Sequence, residues 1–251
     1  MALDCRCIDL KGKGYLKIKG STDNFVFAGN MSQIELAPSV TTNTVPDYTT
    51  TAGGSACSST VIDTINVNMT FNCMNKQDLL IALAGVSTDT ATTTAITDEP
   101  HTVAADCTFI KLENLVDKSV APVVTDVGAA TTYVVGTDYV VTGTGLEIPD
   151  GSTITGDILV TYTQLANTEY DLYQNIAREF EFVFDGVVNN TTQDPFAAIF
   201  YKVKFTPATA FNLVTEGFGD IQVTGELLRD AGNVNANGQA QFGKFQDVYL
   251  G

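Results

Sequence analysis

The single histidine, the five cysteines and the carboxylates are the residues with which this chain could do chemistry, and their spacing fits none of the common reaction classes. His101 stands beside Pro100 in a loop-like stretch. A Ser-His-Asp or Cys-His relay would have to run through it, yet the chain has no GxSxG turn to raise a nucleophilic serine. A surface histidine is the expectation. Cys5, Cys7, Cys57, Cys73 and Cys107 are odd in number and scattered, with no CxxC pair, and one histidine cannot complete a zinc site. Cys5-x-Cys7 reads as two thiols in a strand or tail. Gly12-x-Gly14 and Gly143-x-Gly145 are turn signals rather than phosphate loops, and no EF-hand sequence occurs. Glu179 and Glu181 could meet a partner carboxylate in space, as glycosidic chemistry requires. Alternation along one strand points instead to a solvated face. The expectation is a protein without catalytic residues, metal or cofactor.

Charge narrows the partners. Thirteen Lys and Arg stand against 29 Asp and Glu, a formal net charge of −16, so contact with phosphates is opposed over most of the surface. The first residues, MALDCRCIDLKGKG, hold no apolar secretion core, from which free thiols made in a reducing cytosol are expected. The Asn-x-Ser/Thr positions Asn30 and Asn190 then carry no meaning as sugar sites. The longest apolar run, LLIALAGV, is far short of the roughly 20 residues of a membrane span.

The elements that would position side chains are mostly strands. In VIDTINVNMTFN, Val61, Ile65, Val67, Met69 and Phe71 alternate with Thr64, Asn66, Asn68, Thr70 and Asn72, a period of two that predicts a long strand with one dry face and one wet, amide-rich face. A short helix follows: Asn75 can cap it, Asp78 suits its first turn, Leu79, Leu80 and Leu83 recur at helical spacing, and Gly85 is placed to end it. Upstream, Tyr15 to Ile18 and Phe25 to Ala28 are short β-like pieces. Gly29 and Asn30 open a strand that Pro38 is expected to close, and Ser39 to Thr60 is expected to be a long loop around Val45, Pro46, Asp47 and Tyr48.

After Gly85 the texture changes. Val86 to Pro100 reads as a linker or exposed loop, and FIKLENL, VAPVVTD, TTYVV, TDYVVT, GLEIP and GDILVTYTQL read as the short strands of an antiparallel module. The last third returns to long strands. Phe180, Phe182 and Phe184 oppose Glu179, Glu181 and Asp185; Ile199, Tyr201, Val203 and Phe205 oppose Lys202 and Lys204; Ile221, Val223 and Leu227 oppose Asp220, Gln222, Thr224 and Glu226. Asn233 to Gly243 is expected to be loose, with FQDVYL docking as an edge strand. The expected core includes Val67, Met69, Phe71, Leu79, Leu83, Phe180, Phe182, Phe184, Val203 and Phe205. A main domain of residues 1–86 and 169–251 would carry a β-rich insertion of residues 87–168.

The order of these parts resembles the major tail tube proteins of long-tailed bacteriophages. The likeness runs from the Gly-Asn strand opening through the long loop, the long strand and the NxxDLLIALAG helix. It continues in TTYVVGTDYVVTGTGLEIPDGSTITGDILVTYT, similar to a hairpin module of one branch of that family, and in FEFVFDGVVNN with FYKVKFTPATAFNLVTEGFGDIQVTGELLRD, similar to its closing strands. It covers nearly the whole chain by pattern, while the first residues, with Cys5 and Cys7, carry no mark of it.

The resemblance implies a mainly β fold, a β-sandwich or half-barrel with one short helix, plus the small antiparallel module. It implies a virion protein, made in the host bacterial cytoplasm, whose hexameric rings stack into the phage tail tube. The long strands of six copies would form one β-barrel around a lumen through which DNA passes without specific binding and without a membrane. A tape measure protein would occupy the lumen during assembly, and tail-tip and tail-terminator proteins would cover the ends. Lumen-lining residues would then be Thr64, Asn66, Asn68, Thr70, Asn72, Glu179, Glu181, Asp185, Lys202, Lys204, Asp220, Gln222, Thr224 and Glu226. Val45, Pro46, Asp47, Tyr48, Gly53 and Gly54 would reach the adjacent ring. Lys202 and Lys204 depart from an acidic lining; either they pair with Glu179 and Glu181 or that face points outward. The added module favours a non-contractile tail, since it would crowd a sheath.

Other classes compete. A secreted or surface immunoglobulin-like adhesion module fits the Thr-rich β texture but not the helix or the absent signal. An enzyme with dispersed carboxylates and a different virion component, such as a tail terminator or decoration protein, complete the alternatives. Assembly state separates them.

Overall fold

The computed structural model describes residues 9–248 except 50, 52, 74, 105, 106, 190–192, 215, 217 and 218. Its chain divides into two compact units, Met1–Val86 with Tyr170–Gly251, and Ser87–Glu169. The fold is mainly β, built of antiparallel sheets without a closed barrel. In chain order the first unit holds β1 (Leu10–Ile18), β2 (Val26–Phe27), β3 (Asn30–Pro46), β4 (Ser55–Cys73) and α1 (Lys76–Ala82), and β5 (Val86–Thr90) begins at its end. Then come β6 (Thr94–Val103), β7 (Thr108–Lys111), β8 (Val123–Asp126), β9 (Val140–Val141), β10 (Gly145–Ile148), β11 (Gly156–Gln164) and β12 (Asn167–Asp171). The first unit resumes with β13 (Glu179–Val188), β14 (Pro195–Phe205), β15 (Ile221–Leu227), β16 (Asp230–Val234), β17 (Ala240–Gln241) and β18 (Gly243–Asp247).

One sheet organises the first unit, in the order β2-β1-β13-β14-β15-β4-β3, with β18 paired to β14 beside β15. Its dry face buries Leu16, Val67, Met69, Phe71, Phe180, Phe182, Phe200, Val203, Phe205, Ile221, Val223 and Leu227, and α1 adds Ile81 and Ala82 to the same cluster. The sheet curls far enough that β1 and β3 approach each other: the end of the Met31 side chain and the Phe182 ring pack into the space that Gly14 leaves open.

The helix follows its sequence signals at the start and departs from them at the end. Asn75 accepts the N–H groups of Gln77 and Asp78, and Asp78 accepts the Asn75 N–H in return, a capping box. The left-handed residue after the helix is Ala84 (φ 43°), not Gly85; the Ala84 N–H bonds Ile81 O and the Gly85 N–H bonds Leu80 O, closing the last turn. The helix buries Asp78, Ile81 and Ala82, whereas Leu79 and Leu83 are only half-buried and Phe184 packs at the cluster's margin. Gly29 (φ 54°) lies against the same corner, where a Cβ would strike Cys73 O and Asp78 Oδ2.

Five expectations are corrected here. Pro38 does not end its strand: β3 runs on to Pro46 because it is an edge strand, where a missing N–H costs no ladder bond. Ser39 to Thr60 is therefore not a loop; residues 39–46 and 55–64 pair as a ribbon, and the turn shrinks to 47–54. Val86 to Pro100 is likewise mostly strand, in β5 and β6, while TTYVV forms only isolated bridges. Asn233 to Gly243 contains the β16–β17 hairpin rather than a loose tail.

A further difference lies in β14. Phe180 pairs with Val203 but Phe182 pairs with Phe200, so β14 carries an extra residue there and its phase flips. Ala198 and Phe200 face the core on one side of this bulge and Val203 and Phe205 on the other; Ile199 and Tyr201 are half-exposed instead of buried.

In the second unit, β7-β10-β9 and β6-β11-β8 form two three-stranded sheets that share a core including Ile110, Leu112, Val124, Tyr139, Leu146, Ile148, Ile158 and Val160. Asp138 is buried and stitches its loops, accepting the Val134 N–H at 2.8 Å and the Thr153 hydroxyl at 2.7 Å.

Candidate assembly surfaces

The wet face of the large sheet gathers residues from six strands into rows. Across β15, β4 and β3, Thr224 stands opposite Asn68 and Asn68 opposite Glu35; Gln222, Thr70 and Gln33 form the next row, and Glu226 and Asn66 the one before. Asn68 and Gln33 each donate a side-chain N–H to Glu35 Oε2 at 3.3 Å. A shallow depression of about 300 Å³ opens between these rows, lined by amides, hydroxyls and one carboxylate. Thr64 lies opposite Ser39 at the root of the ribbon, and Asn72 continues the row, its Oδ1 buried without a partner. Asp220 precedes β15 and belongs to the connecting loop.

The other half of this face is an ion-pair array. Lys202 Nζ lies 2.9 Å from Glu179 Oε1, and Lys204 stands in register opposite both Glu179 and Glu226. Glu181 is met not by Lys204 but by Lys19 at 2.8 Å and Lys17 at 3.3 Å. Lys19 also donates to Asp230 at 2.7 Å, where β16 begins. Asp230 further accepts the Asn233 side chain and the Gly232 N–H, and the Lys19 ammonium above all brings its carboxyl down to about 2. Burial works against ionisation of Glu181, but Lys19 and Lys17 outweigh it and hold this carboxyl below its ordinary value. Burial also disfavours the Lys19 ammonium, yet Asp230 and Glu181 keep its pKa raised. Asp185 is exposed and in register with Lys13. Sequence reading missed Lys17, Lys19 and Asp230 as members of this array; the alternation of lysines in LKGKGYLKIK was the available signal.

The β3–β4 ribbon projects as an arm. A bulge at Asp63 shifts the register so that Val40 stands opposite Ile62, and beyond this point both faces are exposed. Val45 and Pro46 end β3, the Asp47 N–H bonds Gly54 O, and Gly53 and Gly54 take positive φ angles of 69° and 124° at the tip. Tyr48 is 87 % exposed. A two-stranded ribbon with no covered face is marginal alone, so its cross-strand contacts, such as Thr41 Oγ1 to Asp63 Oδ2 at 2.5 Å, gain from a partner surface.

An apolar groove of about 760 Å³ opens elsewhere on the same sheet, between the start of β1 and the first part of β3, floored by Phe182, Phe184, Phe196, Phe200 and Phe245. Phe245 on β18 stacks near Phe196, with ring centroids 5.9 Å apart, yet remains 60 % exposed.

His101 is not a surface residue. Its Nε2 lies 2.7 Å from Glu99 Oε1, half-buried, while Glu99 also accepts the Tyr162 hydroxyl at 2.6 Å and the Glu113 N–H at 2.9 Å. Burial opposes the Glu99 charge, but these hydrogen bonds outweigh it and lower its pKa. The cluster ties β6 to β11 and to the turn after β7, a structural use of the histidine. Among the described residues no cluster of three His, Cys, Asp or Glu side chains could hold a metal ion, and no helix is long and apolar enough to cross a membrane. Cys57, Cys73 and Cys107 are free and exposed. Cys5, Cys7, Asn190 and the last residues of FQDVYL, Tyr249 and Leu250, lie outside the described residues.

A family model described as Protein of unknown function UCP028589 matches residues 8–246. No curated protein matches the chain.

Proposed function

We propose that this chain, which belongs to that family of unknown function, is a structural subunit that assembles with copies of itself into stacked rings. These form the hollow tail tube of a long-tailed bacteriophage. The arm carries this reading. A ribbon with Val40, Val45, Tyr48, Val61 and Ile62 exposed is a poor investment for a monomer, because it offers apolar surface and unpaired edges to any neighbour. Set against a second copy, the same features become a joint.

The sheet supports the reading in two further ways. It is open, with β2 and β3 at its ends, and side-by-side copies would cover those edges and close a larger barrel. Its wet face is made of Asn, Thr, Gln and paired charges in a chain of net charge −16, a lining that DNA would slide past rather than bind. Tape measure, tail-tip and terminator proteins would be partners by resemblance to known tube proteins. No catalytic residue or cofactor is needed.

Negative-stain electron microscopy of the purified chain tests this, beside a variant in which residues 40–62 are replaced by an Asn-Gly turn. Rings or hollow tubes from the natural chain, and folded subunits without tubes from the variant, are expected. Uniform monomers of the natural chain at every concentration and salt would reject the tube and favour an immunoglobulin-like binding module.

A further inference from the structure

We propose that the apolar groove between β1 and β3 is the seat of the β3–β4 arm of a second copy of this chain. The inference rests on the tube reading for its setting and adds what that reading lacks, the surface that receives the arm.

The groove and the arm share one face. Ile34 and Leu36 line the groove from β3, and the bulge at Asp63 places Val40 and Ile62 on the same side of the ribbon further along. Val40 is 56 % and Ile62 49 % exposed. One apolar row thus runs from groove to arm, and the arm half has no cover among the described residues. Nor can it bend back to find one. From Ile34 to Val45 a single continuous strand spans about 36 Å at roughly 3.3 Å per residue, so the arm points away from its own groove. A donor and an acceptor at opposite ends of one strand make a heterologous contact, which repeats from copy to copy instead of closing a pair.

Charge selects the occupant. Residues 20–75 contain no Lys or Arg and four carboxylates, Asp23, Glu35, Asp47 and Asp63. The groove's other wall is the start of β1, where exposed Lys11 lines the opening. An acidic, apolar arm entering beside this lysine is complementary in both sign and polarity. With a net charge of −16, a chain of this kind otherwise repels its copies, so Lys11 also fixes where approach is tolerated.

The arm carries its own probe. Cys57 is exposed and lies opposite Val45. In the full chain with Cys5, Cys7, Cys73 and Cys107 replaced by Ser, Lys11→Cys is introduced and the protein is oxidised at assembling concentration. A ladder of dimers, trimers and longer chains on a non-reducing gel is expected, absent when Cys57→Ser is added. A companion variant, Lys11→Glu, should raise the concentration needed for assembly roughly tenfold, and Asp47→Lys with Asp63→Lys should restore it. Tubes without a ladder and without the charge effect would overturn the groove contact and leave the tube reading standing. A product that stops at dimer would overturn it too, since that indicates a symmetric contact. Monomers whose introduced thiol resists maleimide would mean that the chain's own residues fill the groove. Absence of tubes, ladder and shielding together would remove both readings.

Discussion

Lys19 and Asp230 meet at 2.7 Å across 211 positions of sequence, fastening the end of β1 to the hairpin that follows β15. Glu181 lies on the other side of the same ammonium at 2.8 Å, so one lysine joins β1, β13 and the β16–β17 hairpin. Both contacts are half-shielded or better, which puts them above the usual exposed ion pair.

Asp230→Asn should therefore weaken the first unit by about 1–2 kcal/mol at neutral pH. The folded carboxyl sits at about 2, below its ordinary 3.8. Its stabilisation is present above pH 3.8 and is lost as pH falls towards 2. Urea denaturation at pH 7 and again near pH 2.5 checks this: the gap between natural and variant chains should shrink at the acid end. An equal gap at both values would mean that the Lys19 contact does not act through charge.

Asp78 behaves with the opposite sign. It is fully buried, its Oδ1 has no partner, and burial pushes its carboxyl up to about 6 against the lowering effect of the Asn75 N–H. A raised folded value means stability that is complete below pH 3.8 and is lost as pH rises through about 6. Asp78→Asn keeps an acceptor for the Asn75 N–H while removing the charge. Thermal unfolding between pH 4 and 8 should show the natural chain losing stability across that window and the variant changing less. The two carboxylates act in separate pH ranges, so the double variant should show both effects independently.

Phe182 and Phe245 differ in a way that separates folding from assembly. Phe182 is fully buried against Phe200, with ring centroids 5.4 Å apart. Phe182→Ala should cost about 3–5 kcal/mol of subunit stability, visible in denaturant midpoints. Phe245→Ala removes an exposed ring from the groove and should change monomer stability far less while impairing assembly. Equal losses of stability would show that the groove wall is part of the subunit's own core.

The strands' faces were legible wherever alternation is unbroken. Val67, Met69 and Phe71, and likewise Ile221 and Val223, lie on the dry face that their period of two implies, because a half-buried strand has no other way to place them. Ile199 and Tyr201 were misplaced because the bulge in β14 inserts one residue and reverses the phase, a tertiary feature without a local signature. The sequence of the arm signals a loop because Pro38 and a Thr- and Ser-rich composition both mark a break. In an edge ribbon the proline costs nothing and threonine is a good strand residue. The pairing of Lys19 with Asp230, and of Glu99 with Tyr162, depends on which segments the fold brings together. The types of the residues carry no trace of it.

Thr224 offers the sharpest test of the channel reading. It is exposed at the middle of the wet face, in one row with Asn68 and Glu35, and lies outside the buried core. Thr224→Lys should leave subunit stability within about 0.5 kcal/mol, as substitutions at such positions usually do. If copies form a tube with this face inward, each ring gains a further circle of cations in the amide-rich half of the lining, away from the ion-pair array. DNA would then be held at every ring, and its release from assembled particles should slow. The delay should shorten as salt is raised, because the added attraction is carried by phosphate contacts that release counterions. A simple assembly defect would not show that salt dependence. Release at the natural rate from particles that contain the variant would place this face outside the lumen.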